Sequence, residues 1–463
     1  LTYSSYGFPL FIQRNQKVRQ KTIKIARTVG LMLGMLVLVG WFFSLKLTPN
    51  VGITEGSPLP EGTTQPQLII VNDDALMLAP NGALYRWGGK STTTKTPGAI
   101  KPDLRFRKTA MHHGAILAVH EDGTIWGWGN NSFLIPNNPD IAPQEARRLF
   151  PDTGFIDISM SNRHALALKE DGTIWSWGKN ENGQMGTGRN PDSNEPSPAS
   201  SEVPLQIGSE TDWTSIHASS TLSYGIKQDG RILRWGKRPV VGSGPGTSPR
   251  WTPIQTLIEQ AKVVYHPEAF TDIEGWKQVV ALQYVTILLH KDGSLWLDTP
   301  PPRTQAWMPY SQTEPSGLGL LEIGMDFTQF VASEHFILAQ QKNGSWWGIG
   351  NNILNQMGLI HDTSMGSSFA PLTEWEPLPH SFDPWAIGSD IQATLVLTRD
   401  GQLWSTGRII GESLKTPFWN KIASWVNNNP LFISLPSHLP NHYSGFHHIW
   451  TWQPEKSSNA NSH

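Results

Sequence analysis

The chain has 463 residues, with 36 basic against 38 acidic side chains, a formal net charge of −2 at pH 7, and no cysteine. A near-neutral chain carries no electrostatic footprint for DNA or RNA, so nucleic acid is not an expected partner. The lack of cysteine excludes a disulfide framework, a thiol nucleophile and a Cys-ligated zinc.

In chain order, residues 1–27 are basic, with Arg14, Lys17, Arg19, Lys21, Lys24 and Arg27 and no acidic residue before Glu55. Thr28 to Leu45 is an uncharged, mostly apolar run of 18 residues. As a helix it would span about 27 Å, close to the hydrocarbon thickness of a bilayer. Lys46 can snorkel, which extends the span through Leu47. Residues 28–47 are therefore predicted to be a transmembrane signal-anchor helix. The positive-inside rule puts the N-terminus in the cytoplasm and the remainder in the periplasm or outside the cell. A cleaved signal peptide would share the basic and apolar regions. The stretch after Leu45, however, offers no small-x-small cleavage pattern, and Trp41-Phe42-Phe43 suits an interfacial anchor. A buried core helix is the third reading. Residues 48–67, with Pro49, Pro58, Pro60 and Pro66, read as an extended stalk.

From residue 68 onward a short apolar strand runs repeatedly into an Asp-Gly or Asn-Gly turn, usually followed by tryptophan. The turn glycines are Gly82, Gly123, Gly172, Gly230, Gly293, Gly344 and Gly401, spaced 41 to 63 residues apart. A period of that size marks a repeat architecture in which each unit must stack on its neighbours to bury its faces. In the third copy Asp157–Met160 and Ala165–Leu168 alternate side chains as strands do, Asp171-Gly172 is predicted to form a type I′ turn with two positive-φ residues, and Thr173–Trp177 returns. Seven such meanders predict an all-β fold, a seven-bladed β-propeller of four-stranded antiparallel blades over residues 68–435. The segments 418–425 and 431–435 look like a surplus first half-repeat, which fits either closure of the ring by strand exchange between chain ends or a decayed eighth blade. Residues 436–463 read as a C-terminal tail.

The run Trp177-Gly178-Lys179-Asn180-Glu181-Asn182-Gly183-Gln184-Met185-Gly186-Thr187-Gly188 resembles the signature of the regulator of chromosome condensation repeat family. A weaker echo lies at Gly350-Asn351-Asn352 and Asn355-Gln356-Met357-Gly358, and His164–Leu168 matches the first half of that repeat. The resemblance implies a propeller and a role in binding. Related propellers engage a small GTPase and chromatin in one case and a secreted β-lactamase in another. An exchange-factor role would need a cytosolic or nuclear GTPase, which the predicted topology denies. An exported domain without disulfides suits a bacterial cell.

Candidate chemistry is sparse. Trp87, Trp126, Trp128, Trp175, Trp177, Trp235, Trp296, Trp347 and Trp404 follow the repeat turns, where packing between blades wants large flat side chains. Asp122, Asp171, Asp229, Asp292 and Asp400 are turn residues. His112-His113 on a strand would point to opposite faces, and His442, His447 and His448 have no carboxylate cluster beside them, so no metal site and no cofactor are predicted. No phosphate loop, nucleophile elbow or paired-carboxylate motif occurs, so no catalytic residue is assigned. The stretched connections at 189–204, 237–253 and 298–317 are the candidate binding loops. Arg250, Trp251, Arg303, Trp307 and Tyr310 within them are hot-spot residue types and the predicted partner surface. The expected function is a non-enzymatic, membrane-tethered propeller that binds another protein or a cell-envelope polymer. The alternative is a cell-envelope hydrolase or lyase with a site assembled from several blades, for which an acidic or His-carboxylate pair at the central channel would be the sign.

Overall fold

Period-two alternation and β-branched residues form strands throughout the ring. The computed structural model describes residues 62–72, 74–88, 97–136, 145–188, 199–237, 263–282, 285–298, 320–352, 356–359, 372–378, 383–408 and 442–451. Within them are seven antiparallel sheets of four strands, each built from four consecutive strands. The blades run over residues 67–100, 106–148, 155–206, 213–269, 276–324, 327–377 and 384–451. No helix among the described residues is long and apolar enough to cross a membrane. The predicted anchor at 28–47 lies outside the described residues.

Blade three shows the unit. Its strands are β9 (Phe155–Met160), β10 (His164–Lys169), β11 (Ile174–Lys179) and β12 (Ser200–Gln206). The hairpin turn differs from the type I′ expectation, because Gly172 has φ +77° while Asp171 is not among the residues of positive φ. Gly172 N–H donates to the Lys169 carbonyl at 3.0 Å and Lys169 N–H to the Thr173 carbonyl at 2.9 Å. This is a type I turn closed by a left-handed glycine, the three-residue hairpin with a G1 bulge. Asp171 is used differently from the prediction. Its Oδ1 accepts from Thr173 N–H at 2.9 Å and from Thr173 Oγ1 at 2.6 Å, and Thr173 Oγ1 accepts Trp175 Nε1–H at 3.0 Å. The same relay joins Asp122, Thr124 and Trp126, then Asp292, Ser294 and Trp296, then Asn343, Ser345 and Trp347. In these four blades the first tryptophan is therefore tied to its own turn.

The second tryptophan serves the neighbouring blade. Trp87, Trp177 and Trp235 are fully buried. Trp177 belongs to the core between blades two and three, and Trp235 to that between blades three and four. Apolar clusters lie at every boundary, including one between blades one and seven that joins Leu68, Ile70 and Trp87 to Ala393, Leu395 and Leu403. Each fully buried leucine or isoleucine there contributes roughly 1.5–3 kcal/mol, against about 0.5–1.5 for a hydrogen bond, so apolar burial dominates ring cohesion.

Closure differs from strand exchange. Blade one starts at β1 (Gln67–Val71), and the outer strand of blade seven is β28 (His442–Thr451), which pairs with β27 (Gln402–Arg408). β28 lies in the segment read as a tail, and the half-repeat at 418–435 lies outside the described residues. No strand of one end enters the sheet of the other among the described residues. The first and last blades of the ring meet by packing: a Cβ on Gly388 would lie 2.5 Å from the Leu68 carbonyl oxygen.

Candidate interaction face

Consecutive antiparallel strands put connections alternately on two faces of the ring. The Asp-Gly turns and the linkers between blades share one face. On it the turn clasps the next blade: Phe155 N–H donates to the Gly123 carbonyl at 3.0 Å and Trp213 N–H to the Gly172 carbonyl at 3.2 Å. The connections between first and second strands, and between third and fourth strands, share the opposite face, called here the loop face.

The stretched connections all belong to the loop face. Arg250 and Trp251 fall between β15 (Ile232–Lys237) and β16 (Val263–Ala269) of blade four. Arg303, Trp307 and Tyr310 fall between β19 (Leu295–Asp298) and β20 (Leu320–Gly324) of blade five. All five residues lie outside the described residues. The strand ends that bracket them open on the same side of two neighbouring blades.

The described loop face shows why the repeat signature has the residues it does. Asn180 Oδ1 accepts Met185 N–H at 3.0 Å, as Asn352 Oδ1 accepts Met357 N–H at 2.9 Å in blade six. Both methionines are fully buried. The Gln184 carbonyl then accepts Trp235 Nε1–H at 2.9 Å and the Ser223 hydroxyl at 2.7 Å, both from blade four. Equivalent bonds run from Trp177 Nε1–H to the Leu134 carbonyl at 3.0 Å and from Thr394 Oγ1–H to the Gln356 carbonyl at 2.7 Å. Each loop is locked onto the blade that follows.

His164 completes this lock. It is fully buried, with Nε2 2.6 Å from Ser223 Oγ and Nδ1 3.1 Å from Ser161 Oγ. With the Ser223 hydroxyl proton given to the Gln184 carbonyl, Nε2–H donates to Ser223 Oγ, while the Ser161 hydroxyl has both Nδ1 at 3.1 Å and the His164 carbonyl at 3.2 Å within reach. Burial, with a smaller push from His217, lowers its pKa to about 3.

The channel wall is made by the first strands, which touch those of neighbouring blades. Its polar side chains are engaged across the blade boundaries. Gln67 Oε1 accepts Thr109 N–H at 2.9 Å, Ser159 Oγ accepts Ala218 N–H at 2.9 Å, and Gln278 Nε2–H donates to the Phe330 carbonyl at 3.0 Å. His217 bonds the Ala281 carbonyl at 3.1 Å, and burial holds it below the usual histidine range. Asp157 meets Lys108 at 3.5 Å, and burial raises its pKa. The wall's one histidine–carbonyl contact and one carboxylate–ammonium contact among these are stitches between open strand edges.

Two histidines behave unlike the sequence expectation. His113 takes φ +46°, so its ring turns back and lies 4.3 Å from that of His112. Burial and then the His113 charge lower the His112 pKa to about 4. Among the described residues no group of three or more His, Asp or Glu side chains is placed to hold a metal ion.

A surface feature missed in the sequence reading lies where blades two and three meet. Phe133 is 43% exposed, and Lys179 Nζ stands 4.2 Å from its ring centroid. Glu181 bridges Lys179 at 3.4 Å and Arg163 at 3.0 Å. Aligning the loops would have marked Phe133, because the position before the locking carbonyl is Gly183 in blade three and Phe133 in blade two.

Two overlapping segments, residues 155–184 and 171–226, match the regulator of chromosome condensation (RCC1) repeat. No curated protein matches the chain. Among solved structures it is similar to Prp20p from Saccharomyces cerevisiae, at 12% identity and TM-score 0.56, covering 85% of this chain and 88% of that one. It is also similar to human WBSCR16, at 12% identity and TM-score 0.53, covering 70% of this chain and 85% of that one. The chain thus carries RCC1 repeats on an RCC1-like β-propeller. At these identities the structural likeness speaks for the fold.

Proposed function

We propose that this chain is a membrane-tethered, non-enzymatic β-propeller that binds another protein or a cell-envelope polymer through its loop face. The observation that carries this reading is that the strand ends bracketing the long connections lie on one face of the ring, the face on which described loops are locked to the following blade. An RCC1-like propeller is in keeping with a protein-binding or regulatory role. Yeast Prp20p was crystallised together with a study of its binding to Gsp1p and histones. The tether rests on the basic and apolar residues 1–47.

Crosslinking in intact cells, followed by affinity capture of the full chain, tests the binding role. One dominant envelope protein or polymer supports it. Capture of nothing specific, with turnover of an envelope polymer by the purified chain, would establish the enzymatic alternative instead. Alkali extraction of membranes tests the tether: release of the chain into the soluble fraction overturns it.

A further inference from the structure

Phe133 is exposed without a structural need to be there. The residue before the locking carbonyl in blade three is Gly183, held at φ +71°, whereas Phe133 in blade two is not among the residues of positive φ and puts a large aromatic side chain 43% exposed to solvent. The backbone beneath it is fixed. Leu134 N–H and Ile135 N–H donate to the Asn131 carbonyl at 3.1 and 2.8 Å, and Asn131 Oδ1 accepts Phe133 N–H at 3.2 Å. Leu134 and Ile135 are buried in the core between blades two and three. Asn131 Nδ2–H reaches the Asn162 carbonyl of the next blade at 3.3 Å. Among the described residues the other exposed large apolar side chains, Ile156, Val203, Ile273 and Met325, lie on the outer edge or toward the turn face.

Charge surrounds the ring on one side. Arg163 and Lys179 share a single carboxylate, Glu181, and Arg163 and Glu181 are both well exposed. The patch therefore has a rigid aromatic surface and an excess positive charge that an incoming carboxylate can claim. Rigid aromatics with an adjacent arginine are the residue types that dominate binding energy, and preorganisation removes much of the ordering cost.

We infer that Phe133, Arg163 and Lys179 form a docking patch for an acidic peptide segment of a protein partner, with an apolar side chain of that segment packed on the Phe133 ring and its carboxylate paired with Arg163. This deepens the loop-face reading and rests on it.

The probe is a displayed random-peptide library selected on the purified full chain, with the selected peptides then synthesised and titrated. The expected result is a consensus of Asp or Glu near a large apolar residue. Phe133→Gly should weaken those peptides by about tenfold or more, and Arg163→Ala by about threefold to tenfold with a smaller dependence on salt. Thermal melting of each variant verifies folding, and Phe133→Leu, which keeps apolar area, should retain most of the affinity. Peptides that bind the wild type and Phe133→Gly within twofold of each other would overturn the patch while leaving the loop face as the binding surface. Failure to select any peptide overturns the patch as well, and only if cellular crosslinking also captured nothing would the binding role itself fall.

Discussion

His164 Nε2 lies 2.6 Å from Ser223 Oγ across the boundary between blades three and four, and the imidazole is buried and neutral. Burial, and then the His217 charge, lower its pKa to about 3, far below the ordinary histidine value of 6.5. The unfolded chain therefore binds this proton first as pH falls. Stability from this group is complete above about pH 6.5 and drains away as pH falls from there toward 3. His164→Gln should reduce the slope of unfolding free energy against pH in that window by about 1.4 kcal/mol per pH unit. Urea unfolding at half-unit steps from pH 7 to pH 4.5 measures it, and an unchanged slope would remove His164 from the account of acid sensitivity.

Gly172 faces two constraints, the positive φ of its turn and the Thr211 carbonyl, which a Cβ would overlap. Gly154 also has positive φ, +82°, but open space within 4 Å. Gly172→Val should cost on the order of 3 kcal/mol, and Gly154→Ala about 1 kcal/mol. Equal losses in denaturant titration would mean that the close approach of the linker contributes nothing.

Thr173 stands between Asp171 and Trp175 as both donor and acceptor. Thr173→Val keeps the shape and removes both bonds, at an expected loss of about 1–2 kcal/mol. The Thr173 hydroxyl and then its backbone N–H hold the Asp171 carboxyl below its ordinary range, so this contribution is present at neutral pH and fades as pH falls through the folded value. In Thr173→Val that low-pH loss should shrink. If acid titration of stability is the same in both proteins, the relay is ornamental.

The seam between blades seven and one is held by packing, with Gly388 against the Leu68 carbonyl. Gly388→Val should open this seam before the rest of the ring melts. Hydrogen exchange would then rise first in residues 67–88 and 384–408. Uniform loss of protection across all blades would show that the ring yields as one unit.

Replacing Arg250, Trp251, Arg303, Trp307 and Tyr310 together by Ala should leave thermal melting nearly unchanged and weaken partner capture. A large fall in melting temperature would assign those side chains to the core.

Much of this molecule was legible in the residues. Seven turn glycines at irregular spacing determine the number of blades, because each hairpin needs a left-handed residue at one place. The tryptophans after them announce packing surfaces, since a period-two strand with large flat side chains has to bury them somewhere. Alternation also implies that connections fall on two faces.

Other features arose only when distant segments met. The turn type depended on cross-strand bonds around Lys169 and Thr173, which dipeptide preference does not specify. The neutral state of His164 comes from its burial where blades three and four meet, with Ser223, 59 residues away, engaging Nε2, and the pairing of the His112 and His113 rings comes from a backbone twist at His113. Folding places Phe133 beside Lys179 and above a locked backbone. Local sequence determines which turns and strands can form; solvent exposure, shared protons and charge neighbours depend on which blades are brought together, and only the closed ring decides that.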